Sequence, residues 1–121
     1  MHEMSLAIQA IRSVLEFAED NAIDEIDTVV LEIGELSMVV PEYMEEAWYA
    51  AVKNTMLEKS RLQIDVMPGN GLCENCGQQY PTVPHGRTCP HCQSPHTHLL
   101  QGNEMMIKEV EAVEPETSES S

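Results

Sequence analysis

The sequence predicts an α+β protein in which a small α/β domain, with two helices on a three-stranded or similar sheet, carries an inserted zinc-ribbon domain. Two stretches place apolar residues at helical spacing, and three others alternate or are rich in β-branched residues, as strands are. Two Cys-x-x-Cys pairs lie between the second and third of these strands. With 121 residues, the chain is long enough for one small domain and a metal-stapled module.

The first helix is predicted from apolar residues that recur every three or four positions between Met4 and Ala22, with charged residues between them. We expect it to end at Asn21. Residues 28–33 are rich in β-branched side chains and predict a strand that closes at Gly34. Residues 35–40 either extend this strand or form a short connection, and the sequence leaves that choice open.

A second helix is predicted to begin at Pro41, because the missing N–H of proline costs nothing at the first helical position. One face of this helix is apolar and contains Met44, Ala47, Trp48, Ala51 and Met56. Residues 61–67 alternate between apolar and polar side chains, which predicts a half-buried strand.

The breaker cluster Pro68-Gly69-Asn70-Gly71 predicts a domain boundary. Residues 1–68 would form the α/β domain, completed by a returning strand at 104–113, and residues 69–103 would form the zinc ribbon. Gln101-Gly102-Asn103 would be the return linker. Residues 114–121 are acidic and contain Ser, Thr and Pro, so we expect a disordered tail.

The four cysteines of the chain are Cys73, Cys76, Cys89 and Cys92, and their spacing suits a closed structural zinc site. Two disulfides would need an oxidising compartment, and the chain opens without a secretory signal. A thioredoxin-like redox protein needs one such pair beside a βαβ pattern, not two. Iron on four thiolates, as in a rubredoxin-like electron carrier, stays open, because cysteine spacing alone does not separate the two metals.

The charge of the chain argues against nucleic-acid binding, the commonest other use of a zinc ribbon. Acidic residues number 21 against 6 basic ones, giving a net charge of −15, whereas a phosphate-binding protein needs the opposite balance. No apolar run is long enough to span a bilayer. We therefore expect a soluble, cytoplasmic protein with no membrane or nucleic-acid partner. No nucleophile–base constellation, phosphate loop or carboxylate pair predicts an enzyme.

The N-terminus, Met1-His2-Glu3, offers a second set of metal donors. The α-amine of Met1 with the amide nitrogen and imidazole of His2 can close adjacent chelate rings around one ion. Nitrogen donors in a plane suit Ni(II) or Cu(II) better than Zn(II), and Glu3 could complete the plane. On residue type alone a purely structural role is the stronger interpretation, because an acidic residue such as Glu3 is favoured in the first turn of any helix.

Four of the five histidines lie near the cysteines. His85 and His91 are predicted to be solvated loop residues. His96 and His98 are two positions apart, so in an extended segment both imidazoles would point to one face. They are candidate auxiliary metal ligands.

These motifs together resemble the hydrogenase maturation nickel chaperones of the HypA/HybF family. The resemblance rests on Met1-His2-Glu3, on Glu32-Ile33-Gly34-Glu35-Leu36-Ser37, on the paired cysteines and on Gln101-Gly102-Asn103-Glu104-Met105, which occur in this order over nearly the whole chain. It implies a nickel-binding α/β domain, with His2 as the nickel ligand, joined to a zinc ribbon whose ligands are the four cysteines.

The resemblance also implies a function and partners. Ni(II) would be carried as cargo to the large-subunit precursor of [NiFe]-hydrogenase, together with a nickel-handling GTPase of the HypB type, while Zn(II) would be structural. Neither the hydrogenase that is served, nor supply to a second nickel enzyme such as urease, nor homodimer formation follows from the sequence.

Overall fold

The computed structural model of the chain describes residues 2–113, apart from the side chain of His2. Within these residues the helices are α1 (His2–Asp20), α2 (Pro41–Ala51) and α3 (Thr82–His85). The strands are β1 (Ile26–Gly34), β2 (Arg61–Met67), β3 (Asn70–Cys73), β4 (Gln79–Pro81), β5 (Thr97–Gln101) and β6 (Met105–Ala112). The predictions for the α-amine of Met1 and for the tail at 114–121 fall outside this described part.

The strands form two three-stranded sheets, with the orders β2-β1-β6 and β4-β3-β5. The first sheet and the two long helices confirm the predicted α+β class. In the second sheet, β3 pairs antiparallel with both of its neighbours, and Leu72 lies opposite Gln79 on one side and His98 on the other. This small sheet holds the first cysteine, Cys73, at the end of its central strand.

The chain divides into two compact units. Of the described residues, unit 1 contains 2–31, 42–63 and 107–113, and unit 2 contains 32–41 and 64–106. The predicted boundaries, with an insertion at 69–103, stay a prediction.

The core of unit 1 follows the hydrophobic pattern of the sequence. Helix α1 buries Ala7, Ile11, Val14 and Ala18, which lie three or four positions apart. Strand β1 buries the consecutive residues Val29, Val30 and Leu31, as expected for the central strand of a sheet. The largest fully buried side chain is that of Trp48 on α2. No helix in the described range is long and apolar enough to cross a bilayer.

The prediction that α2 continues to Met56 is wrong. The helix ends at Ala51, and Asn54 takes a left-handed backbone conformation with φ of 67°. The Thr55 hydroxyl donates a hydrogen bond of 2.7 Å to the Val52 carbonyl, which a continuing helix would need for its own ladder. Leu57, which is fully buried, takes the core position that the helical pattern gave to Met56.

Two segments that the sequence left open or misread are settled by backbone hydrogen bonds. After Gly34 the chain turns, because the Ser37 amide donates to the Gly34 carbonyl at 3.0 Å, so residues 35–40 are a connection. The expectation that the breaker cluster extends to Gly71 is wrong, because Gly71 lies within strand β3. A glycine fits there since the Tyr80 ring fills the space of a side chain.

We predict that Gly34→Ala destabilises the protein. The backbone of Gly102 and Asn103 approaches Gly34 so closely that an added methyl group would overlap it, and backbone atoms cannot swing away as a side chain can. We expect a loss of about 1–3 kcal/mol, measured by chemical denaturation of the zinc-loaded protein. Gly34 has no positive φ, so without the overlap an alanine there would be neutral or stabilising, by about 0.4–1 kcal/mol. Unchanged or higher stability of Gly34→Ala would therefore contradict the close-packing account.

Candidate metal centre

Each Cys-x-x-Cys pair lies in a tight turn, and we call these turns the first knuckle (residues 73–78) and the second knuckle (residues 89–94). The Gly77 amide donates to the Cys73 carbonyl at 2.9 Å, and the Gln93 amide donates to the Cys89 carbonyl at 2.8 Å. Both donors have left-handed backbones, with φ of 76° and 67°. The same turn is therefore used twice, and glycine occupies the strained position in only one of them.

Backbone amides in both knuckles also point at sulfur. The Cys76 amide donates to Cys73 Sγ, and the His91 amide donates to Cys89 Sγ, each at 3.4 Å. Such N–H···S contacts orient the sulfur and can persist when it binds a metal. The chain thus prepares one sulfur in each knuckle to bind a cation.

The two knuckles bring all four sulfur atoms to one point, within 4.8 Å of one another. Cys73 Sγ lies 3.5 Å from Cys92 Sγ, and Cys76 Sγ lies 3.6 Å from Cys89 Sγ. A tetrahedral zinc ion with bonds of about 2.3 Å requires separations of about 3.8 Å between its ligands, so the cluster fits this ion closely. The four cysteines are free thiols, and each of these two pairs joins different knuckles.

Hydrogen bonds and burial shift the pKa values of Cys92 and Cys76 in opposite directions. Asn75 Nδ2 donates to Cys92 Sγ at 3.5 Å and, with the Ser94 backbone, lowers the pKa of Cys92 to about 6. The Gln78 backbone acts to lower the pKa of Cys76, but burial and hydrogen bonds with the other three sulfurs outweigh it and raise that pKa to about 12. Such a cluster holds protons that a zinc ion must displace, so zinc binding has to weaken in acid.

The predicted nickel donors are placed less completely. His2 is the first residue of α1, while the side chain of His2 and the whole of Met1 lie outside the described part. Glu3 lies in the first turn of α1 and is only 8% exposed. The structure therefore leaves the assembly of these donors around one ion as a proposal.

His96 and His98 lie beside the first knuckle. His98 Nδ1 is 2.9 Å from Glu74 Oε2, and the Glu74 amide donates to the His96 carbonyl at 2.8 Å. The His98 ring is thus engaged through one nitrogen, which leaves Nε2 for another partner. Their role as auxiliary ligands remains a proposal.

Sequence reasoning missed the contribution of the two residues between Cys73 and Cys76. Glu74 anchors His98, and Asn75 donates to Cys92 across the cluster. The available signal was the polar character of both x positions in this pair, but which group each one contacts depends on the fold.

The family of the chain is decided by its match to a family model. Residues 1–112 match the model described as "Hydrogenase/urease nickel incorporation, metallochaperone, hypA". The chain belongs to the HypA/HybF family. Membership accounts for the cysteine cluster and makes the chain a relative of nickel metallochaperones that act in hydrogenase maturation.

Curated relatives match this chain over almost their whole length. The hydrogenase maturation factor HypA of Geobacter sulfurreducens is 41% identical over 112 residues, covering 92% of this chain and 98% of the relative. HypA of Chlorobium phaeobacteroides is 38% identical over 110 residues, covering 91% and 97%. The hydrogenase maturation factor HybF of Klebsiella pneumoniae is 31% identical over 111 residues, covering 92% and 98%.

Solved structures of HypA proteins share the fold. The solution structure of the Ni metallochaperone HypA from Helicobacter pylori has a TM-score of 0.69 and 26% identity, covering 92% of this chain and 97% of that one. A second solution structure of a HypA protein has a TM-score of 0.73 and 25% identity, covering 93% and 97%. These likenesses confirm the fold class.

We predict that removing zinc unfolds residues near 72–100 and leaves α1, β1 and β2 largely formed. The only large buried side chain in that segment, apart from the cysteines, belongs to Tyr80, so the segment lacks a core of its own. Amide signals of the labelled protein, recorded before and after chelation, would collapse only within this range and return when zinc is restored. Dispersed signals throughout 72–100 in metal-free protein would contradict the prediction and its 69–103 boundary.

Proposed function

We propose that this HypA-family protein is a nickel metallochaperone that binds Ni(II) at its N-terminus and delivers it for maturation of [NiFe]-hydrogenase. The observation that carries the proposal is the family match from residue 1, which includes the donors Met1, His2 and Glu3. The cysteine cluster would hold Zn(II) as a structural ion. Its four thiolates complete a tetrahedron and leave no open position for cargo.

The position of His2 in the helix supports its role. It is the first residue of α1, and the first amides of a helix have no acceptor within it. The amide nitrogen of His2 can therefore lose its proton and bind nickel without breaking a helical hydrogen bond. The Met1 amine and the His2 imidazole would flank that nitrogen in a square plane, with Glu3 next in the chain.

A site built on a chain terminus suits transport. Few residues need to be ordered when the ion binds, so the ion can be held and then released to another protein. We propose a HypB-type GTPase and the hydrogenase large-subunit precursor as the proteins on either side of this transfer, with nucleotide chemistry confined to the GTPase. This chain would act in the cytoplasm, as a carrier and not as an enzyme.

The histidines near the cysteines have a secondary place in the proposal. His98, with His96 two positions before it, would supply a further nitrogen to nickel when the terminus and the zinc module meet. His98 Nε2 is the available atom, since Nδ1 is already engaged by Glu74.

We expect His2→Ala to abolish nickel binding and leave the zinc content unchanged. The variant lacks the imidazole donor and the chelate ring that this donor closes with the amide nitrogen of residue 2. Native mass spectrometry and titration calorimetry of untagged, zinc-loaded protein would measure this. His91→Ala is the matched control, since His91 is an exposed residue of the second knuckle.

One residue added before Met1 tests the amine separately, because the α-amine then becomes an amide and loses its donor pair. We expect nickel affinity to fall in this variant as well. Equal affinity in the extended protein would remove the amine from the site, and equal affinity in His2→Ala would overturn the proposed function.

Nickel affinity should rise with pH. The proposed imidazole and α-amine must lose protons to bind, and their ordinary pKa values lie between roughly 6 and 8. Affinity is then low below this range and rises most steeply through it. Above it the rise continues more gently, because the His2 amide nitrogen still loses a proton on binding, as calorimetry at a series of pH values would show. A flat profile between these limits would exclude both groups as donors.

A further inference from the structure

Unit 2 contains a cavity of about 410 Å³ that none of the four cysteines lines, although His98 does, and we call it the Arg87 cavity. Its walls come from β3, β4, the α3 segment and β5, with Leu36 at one side. Tyr80, Leu99 and Pro95 make part of the lining apolar, while Arg87, an exposed residue, is the arginine of the lining. This volume is within the range of cavities that bind small organic ligands.

The walls of the cavity are fixed by their own hydrogen bonds. The Tyr80 ring lies against Gly71, where any side chain would overlap it, and its hydroxyl donates to the Gly86 carbonyl at 3.0 Å. The Thr97 hydroxyl donates to the Arg87 carbonyl at 2.8 Å and so ties the backbone of Arg87 to β5. The cavity is therefore a preformed feature of the fold, and a ligand would not have to order it.

The charge of the cavity is opposite to that of the chain. Arg87 is the only lysine or arginine in unit 2, in a protein with 21 acidic and 6 basic residues. Within the described residues its guanidinium takes part in no ion pair or hydrogen bond. No acidic residue lines the cavity, and the lining residue His98 is paired with the carboxylate of Glu74.

A second polar group in the lining lacks a partner. The Thr82 hydroxyl oxygen is buried and makes no hydrogen bond with any described residue. A buried hydroxyl without a partner costs about 1–3 kcal/mol, and a water or a ligand that reaches it would recover this energy. Thr82 and Arg87 line the same cavity, so one acceptor-rich group could bond to both.

We propose that the Arg87 cavity binds a carboxylate group carried on an apolar body. A guanidinium holds a carboxylate through two parallel N–H···O bonds, and the Thr82 hydroxyl donates a further bond to it. Tyr80, Leu36 and Leu99 would contact the apolar body. A free organic acid and the C-terminus of a peptide both present this chemistry. The proposal goes beyond nickel transport and does not depend on it.

The experiment titrates zinc-loaded, ¹⁵N-labelled full-length protein with 3-phenylpropanoate and, as matched probes, with its neutral amide and with acetate. We expect saturable shifts of the amide signals of Gly71, Gly86, Arg87 and Leu99 with 3-phenylpropanoate. The amide lacks the charge and acetate lacks the body, so each should bind at least about 10-fold more weakly.

Two variants and one control locate the binding. Arg87→Gln should weaken binding of 3-phenylpropanoate at least about 10-fold, and Thr82→Val, which keeps the shape and removes the hydroxyl, about 3- to 10-fold. Arg61→Gln makes the same charge change at an exposed position of β2 and should bind as the unaltered protein does. Zinc content and signal dispersion show that each variant is folded.

The source of the ligand follows from a further pair of probes. We would titrate the peptide Ala-Ala-Phe with a free C-terminus and, beside it, the same peptide as its C-terminal amide. Tighter binding of the free peptide than of 3-phenylpropanoate would assign the cavity to peptide C-termini. Weaker binding would assign it to small organic acids. Equal binding of the acid and its amide, or equal binding to the folded Arg87→Gln variant, would overturn the proposal.

Discussion

Convergence of four cysteine sulfurs on one point is the constraint on which the small sheet of unit 2 depends. The segment around it buries little apolar surface beyond Tyr80, and strand β3 is short and contains a glycine. Hydrophobic burial therefore contributes little there, and bonds from a cation to the two knuckles supply the closure that a core would otherwise provide. The knuckles form the same turn twice, so the cation would close two halves that share one local backbone geometry.

The donor chemistry separates the two metals that the family handles. Sulfur donors at 73–92 belong to unit 2, and the nitrogen and oxygen donors proposed for nickel belong to unit 1. Zinc is held well by four thiolates, whereas a planar set of nitrogens suits a d⁸ ion. Each ion thus meets ligands that favour it, although affinity alone would not keep Cu(II) from the nitrogen site, because Cu(II) lies above Ni(II) in the stability series.

Sequence patterns predicted the parts of the fold that depend on local or periodic signals. The apolar spacing of α1, the β-branched run of β1 and the cysteine pairs were each sufficient to predict their element or cluster. Motifs along nearly the whole chain predicted the family. The end of α2 was missed because it depends on one hydroxyl, that of Thr55, and on a left-handed Asn54. The Arg87 cavity was invisible for a different reason: its lining comes from residues 36 to 99, and only pairing of β3 with β4 and β5 brings them together.

The two cysteines of each knuckle are not equivalent in depth. Cys73 and Cys89, the first of each pair, are fully buried, whereas Cys76 is exposed and Cys92 is partly so. An external chelator or thiol would therefore reach the cluster most readily at the second cysteines, Cys76 and Cys92. Stepwise exchange would begin with release of Cys76 or Cys92 while Cys73 and Cys89 stay bound. The lifetime of the bound ion would then depend on these two outer ligands, although all four ligands set its equilibrium affinity.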